Sequence, residues 1–326
     1  MATNQERGSV STLHNNEINP GAADHARLQD TSTSDSGCES PSAAGRQIKP
    51  ELQALLDWLE EGKSDNSVDR INFPLPFEQY EQFKELGMVE DGKLAGRRFR
   101  FDYDGDDEIL TIRMPDLRHD IIAGEAEDLL RDFIKESRKH TNPAIAAFAS
   151  SVMSLYTSDL HYPAMISTHM TEHTPDLSFG SAFNAKYPTM VGEVANSQTT
   201  NQLQSKAKGY IQGSRGGIRT VLCIDVDYSG KKGARFSVWR AKFDDDGGFQ
   251  GAECDDTVEI RSKDGLKNPE GKAGLVLSLE DFCGIGEVTD VTPLKSVTMT
   301  LCTDKLYDLI ELAEMRQASR KAAWAK

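Results

Sequence analysis

The chain has 326 residues, 38% of them hydrophobic, and a formal net charge of −15. That length holds one large or two small bodies with a packed core, and no run approaches the roughly 18 consecutive apolar residues of a membrane span. The acidic balance excludes a large basic face, the usual electrostatic footprint of a nucleic-acid binder.

The opening MATNQERGSV lacks the charged-then-apolar layout of a secretory signal, so the chain reads as soluble and intracellular, in the cytoplasm or nucleus. Five cysteines (Cys38, Cys223, Cys254, Cys283, Cys302) lie far apart without a CxxC pair, which suits reduced thiols rather than a disulfide framework or zinc knuckle. Residues 1–46 are rich in Ser, Thr, Asn, Gly and Ala without apolar periodicity and read as a disordered tail, because they bury too little surface to offset the entropy of ordering.

From Ile48 the pattern changes. Leu52, Leu55, Leu56 and Leu59 follow helical spacing between Pro50 and Gly62. A short helix is predicted over PFEQYEQFKELG, then two strands, RRFRFDY and EILTIRM, joined across the Asp-Gly turn of DYDGDDE. That turn has the wrong ligand order for a calcium loop and reads as a solvated hairpin. Residues 47–115 thus form a helix-plus-hairpin region packed on the remainder, residues 116–326.

The run 119–138 places Ile122, Ala126, Leu129, Leu130 and Phe133 on one stripe of an amphipathic helix. An apolar helix near NPAIAAFASSVMSLY is followed by strands at PDLSFGSA and TMVGEVANS. A helix over 199–212 comes next, then two β-rich runs, IRTVLCIDVDY and ARFSVWRAKF. Shorter strands near TVEIRS and AGLVLSL precede a final helix from about Asp304. The order predicts an α/β protein with a central mixed sheet flanked by helices.

Asp176 follows Pro175 at the start of one of these strands, where a proline lacking an N–H is tolerated. Glu193 lies inside the next among apolar or small neighbours, and its burial is costly unless it is paired or bound to a metal. Val191, Glu193 and Ala195 share one face of that strand. On the following helix Lys206 flanks the buried stripe of Leu203, Ala207, Tyr210 and Ile211, with Tyr210 read as core. Glu125 flanks the stripe of the 119–138 helix one turn after His119 and offers a third acid. Two carboxylates on neighbouring strands with a nearby lysine are the parts that metal-assisted hydrolysis needs.

P-D-L-S-F, V-G-E-V-A-N-S, K-A-K-G-Y-I and R-T-V-L-C-I-D-V together resemble the PD-(D/E)XK, or restriction-endonuclease-like, superfamily. Within it the pattern is most similar to a bacterial group whose lysine has moved to the helix after the second core strand, and L-T-I-R-M-P-D-L-R-H-D resembles that group's methionine-proline stretch. The resemblance covers roughly residues 109–240. It implies a restriction-endonuclease-like core in which Asp176 and Glu193 bind Mg²⁺ or Mn²⁺, Lys206 orients the attacking water, and Glu125 assists. Ala195 stands where the common family pattern has lysine or glutamine.

The implied function is a metal-dependent nuclease acting on DNA or RNA; the alternative is a silent nuclease-like domain that binds nucleic acid or a protein. Lys206, Lys208, Arg215, Arg219, Lys231, Lys232, Arg235, Arg240 and Lys242 crowd one stretch and allow a basic strip on the acidic body. His169 and His173 have the i, i+4 spacing of a zinc pair, but Thr171, Thr174 and Pro175 place them in a loop.

Overall fold

In a computed structural model, the described residues are 48–61, 70–86, 93–94, 97–182, 186–195, 199–227 and 232–324. The expected tail over 1–46 and Lys231 lie outside them. In chain order the elements are α1 (Pro50–Glu61), β1 (Arg70–Pro74), α2 (Phe77–Glu85), β2 (Lys93–Leu94), β3 (Arg97–Arg98), β4 (Arg100–Asp104) and β5 (Ile109–Arg113). Then come α3 (Leu117–Ser137), α4 (Pro143–Ser151), β6 (Val152–Ser154), β7 (Leu160–Pro163), β8 (Met170–His173), β9 (Leu177–Ser181) and β10 (Met190–Ala195). The last are α5 (Thr200–Gly213), β11 (Thr220–Val226), β12 (Ala234–Phe243), β13 (Phe249–Arg261), β14 (Gly274–Ser278), α6 (Thr292–Lys295), β15 (Thr298–Cys302) and α7 (Thr303–Trp324).

The predicted hairpin is present as β4 and β5, and its tip is a polar turn in which Asp104 accepts from the Asp106 and Asp107 N–H groups. It sits in a five-stranded antiparallel sheet ordered β1-β5-β4-β8-β7. The segment around His161–His173, expected as loop, supplies β7 and β8, so the sheet begun by residues 70–113 is completed from much later in the chain. His173 ends a strand, and the helical zinc-pair geometry does not arise.

Alternation gives this sheet two unlike faces. Phe73, Phe101, Tyr103, Leu110 and Ile112 pack with Leu52, Leu55 and Leu59 of α1 and Tyr80 and Phe83 of α2. Tyr80 and Tyr103 stack with ring centroids 4.0 Å apart. Each fully buried large side chain contributes roughly 1.5–3 kcal/mol, which holds the short α1 and α2 on the sheet. The register sets Arg100 opposite Arg113 and Asp102 opposite Thr111, with Arg70 and Asn72 beside them. The other face is therefore polar.

The second sheet has six strands in the order β13-β12-β11-β10-β9-β6. The β10–β11 pair is parallel and its neighbours are antiparallel, so the sheet is mixed. Met190, Val194, Leu222 and Ile224 face α3, α4 and α7, while Val191, Ala195, Val221 and Cys223 face α5. Helices thus cover both sides, as the alternation predicted. The α5 start is fixed by a capping box, Thr199 with Gln202, that satisfies two otherwise orphaned N–H groups. The strand expected near TVEIRS is the end of the 13-residue β13, and β15 was not anticipated.

Candidate functional site

Side chains from both sheets meet in a buried cluster of charges. Asp176 sits in the turn entering β9, where its N–H donates to the Gly192 carbonyl at 3.0 Å and ties it to β10. Its side chain is fully buried. Oδ2 accepts from the Val194 N–H at 2.7 Å and lies 3.1 Å from His119 Nε2, while Oδ1 accepts from Arg100 and, at 3.1 Å, from Arg113 Nη1.

Glu193 projects from β10 toward α5. Its Oε1 accepts from the Tyr210 hydroxyl at 2.5 Å and lies 2.9 Å from Lys206 Nζ; its Oε2 is 3.6 Å from Arg113 Nη1. Asp102 of β4 completes the group. Its Oδ2 lies 2.8 Å from Arg113 Nε, off the hydrogen-bond direction, and accepts from Lys206 Nζ at 3.0 Å; its Oδ1 accepts from the Thr174 N–H at 3.0 Å.

Three of the four residues singled out from sequence therefore converge: Asp176, Glu193 and Lys206. The α5 register explains the lysine, because Lys206 and Tyr210 are one turn apart and both reach Glu193. Tyr210, read as plain core, is a direct partner of the glutamate. Glu125 is exposed on α3 and is no partner of the cluster in any described contact. His119 takes the place assigned to that helix. It is held at the first turn because Asp116 caps α3 by accepting the His119 N–H.

Arg113, Asp102 and Arg100 were missed. The signal was present in R-F-R-F-D-Y and L-T-I-R, where charges alternate with apolar residues. Such alternation reads as a solvated strand face, whereas this face turns inward against a second sheet.

Burial works against every charge here, and the partners decide the outcome. For Asp176 desolvation pushes upward, but His119 and Arg113 outweigh it and hold the carboxyl well below the usual range. Desolvation likewise disfavours charge on His119, yet Asp176 raises its pKa to about 9. Burial raises Glu193, which Lys206 only partly offsets. His173, whose Nδ1 is 2.7 Å from the Tyr162 hydroxyl, is lowered by desolvation to about 3 and stays neutral at pH 7.

A divalent cation does not fit this donor set. Both oxygens of Asp176 and both of Glu193 already face donors or cations of the chain itself. Asp102, Asp176 and Glu193 are matched by Arg100, Arg113 and Lys206, with a protonated His119 besides. An added Mg²⁺ or Mn²⁺ would leave a buried excess of positive charge, which costs several kcal/mol or more per uncompensated ion.

A cleft of about 550 Å³ opens beside the cluster. Asp102, Lys206, Tyr162 and His173 line it, with Arg70 and Lys208 nearer solvent and Asp104, Asp106 and Asp107 also on its wall. Asp176 and Glu193 lie behind these residues. The sequence's basic stretch is largely spoken for: Lys206 points into the cluster, Arg240 pairs with Asp281 and Asp255, and Lys242 with Glu253 and Asp255. No family model matches the chain, and no curated protein matches it.

Proposed function

We propose that the chain is a catalytically silent, nuclease-like domain that acts as a binding module, with the cleft over the charge cluster as its recognition surface. One observation carries this reading: every carboxylate oxygen that a nuclease would offer to a metal is engaged by the protein's own Arg, Lys, His, Tyr or backbone N–H donors. The cluster then orders the fold, and the exposed chemistry belongs to the cleft. Aspartates outnumber the cations that line it, and the chain carries a net charge of −15, so phosphate backbones are repelled. A protein presenting polar or basic groups is the better complement.

The competing reading, a Mg²⁺- or Mn²⁺-dependent nuclease of DNA or RNA, is favoured by one specific feature. Lys206 reaches Glu193 at 2.9 Å from the helix, where the migrated-lysine pattern puts it. That reading requires Arg113 to leave two carboxylates at once. The deciding experiment incubates wild type, Glu193→Ala and Lys206→Ala with single- and double-stranded DNA and RNA in Mn²⁺. The expected result is no cutting by the wild type and no mobility shift of the nucleic acid. Cutting by the wild type that both variants abolish overturns the proposal in favour of the nuclease.

A further inference from the structure

Arg113 touches all three carboxylates of the cluster. Its Nε lies 2.8 Å from Asp102 Oδ2, and its Nη1 lies 3.1 Å from Asp176 Oδ1 and 3.6 Å from Glu193 Oε2. These acids come from β4, the turn before β9, and β10, so two sheets converge on a single guanidinium. Its side chain is 9% exposed, and the acids around it outweigh the desolvation that disfavours its charge.

The acids are also held from behind. Asp176 Oδ2 is fixed by the Val194 N–H and His119, Glu193 Oε1 by Tyr210 and Lys206, and Asp102 Oδ1 by the Thr174 N–H. Outer contacts of this kind orient carboxylates independently of what sits between them.

We infer that Arg113 is a built-in substitute for a divalent cation: its guanidinium fills the point on which Asp102, Asp176 and Glu193 converge, and its removal alone turns the cluster into a metal site. The inference rests on the metal-free reading of the cluster given above. Its physical basis is charge and donor type. Without the guanidinium, three buried carboxylates are left short of positive charge, a costly state, and carboxylate oxygens are the ligands that Mn²⁺, Mg²⁺ and Ca²⁺ prefer. Arg113 is wide and planar, so the ion must draw the carboxylates inward. Mn²⁺ and Ca²⁺ tolerate the adjustment better than Mg²⁺, which demands near-ideal octahedral geometry.

The test compares the full chain as wild type, Arg113→Met and Arg113→Lys, using Mn²⁺ alone as the probe. Methionine keeps much of the apolar stem without the charge, and lysine keeps the charge. Free Mn²⁺ is followed by electron paramagnetic resonance, and thermal unfolding is recorded in EDTA and in about 1 mM Mn²⁺. Arg113→Met is expected to bind one Mn²⁺ per chain and to gain about 5 °C in Tm from it. Wild type and Arg113→Lys are expected to shift by less than about 1 °C.

An Arg113→Met chain that is unfolded in EDTA and folds with Mn²⁺ also supports the inference. It is overturned if that variant ignores Mn²⁺ while folded, if it stays unfolded with the ion present, or if the wild type binds Mn²⁺ as tightly. The two proposals fail separately: an inert wild type beside an Arg113→Met chain that ignores Mn²⁺ sinks this inference alone, whereas Mn²⁺-dependent cutting by the wild type sinks the silent reading.

Discussion

His119 and His173 flank the same buried charges and titrate in opposite directions. His119 gains a partner in Asp176, 3.1 Å away, and its pKa rises from 6.5 to about 9. Its contribution to stability is therefore fully present below pH 6.5 and is lost as pH rises through about 9, a change of about 3 kcal/mol for a shift of this size. His173 is depressed by desolvation to about 3, so its contribution is present above pH 6.5 and is lost as pH falls toward 3. Asp176, held below its ordinary 3.8, steepens the acid limb at the lowest pH. Tm measured from pH 4 to 9.5 should peak near pH 6.5, and His119→Asn should flatten the alkaline limb while leaving the acid limb in place. An unchanged alkaline limb in that variant would show that the Asp176–His119 pair does not set it.

Among the elements, α5 was the most legible and also held a constraint that periodicity does not carry. Its buried stripe, its start after Thr199 and the placement of Lys206 all followed from 3.6-residue spacing. The strands β10 and β11 were equally readable, because their β-branched and apolar runs are bounded by turn residues. What escaped was non-local. The polar face of β4 and β5 looks solvated until a second sheet is laid on it, and β7 and β8 are short strands whose pairing partners lie far away in sequence. Nor does the sequence say why α5 ends in glycine. A Cβ on Gly213 would lie 2.1 Å from Tyr162 Cδ2 and 2.5 Å from Cε2, so the bare backbone lets the ring pack against the helix and direct its hydroxyl to His173. Helix propensity alone makes Gly→Ala favourable by up to about 1 kcal/mol. The clash should reverse the sign: Gly213→Ala is expected to destabilise by about 1–3 kcal/mol in urea unfolding. A stabilised variant would mean that Tyr162 moves aside without cost.

Across the whole molecule, the two sheets are joined differently from the way each is built. The apolar cluster of α1, α2 and one face of the five-stranded sheet contains no residue of the six-stranded sheet. The link between layers consists of Leu160 and Tyr162 packed with α5, together with the ionic cluster. Asp102 and Lys206, 3.0 Å apart with side chains 7% and 8% exposed, form the pair that spans it most simply, one from β4 and one from α5. Removing either leaves a buried charge without its partner, at a cost of about 3–5 kcal/mol, whereas removing both leaves the remaining charges balanced. Asp102→Asn and Lys206→Met should therefore each destabilise strongly, and the double variant should lose less than the sum by about 1–3 kcal/mol. Hydrogen exchange locates the effect. In Asp102→Asn the amides of β4 and β5 should lose protection before those of β10 and β11, because the five-stranded sheet is released from the layer that anchors it. Additive losses with uniform loss of protection would place the cohesion of the molecule in its apolar contacts and reduce the cluster to a local feature of each sheet.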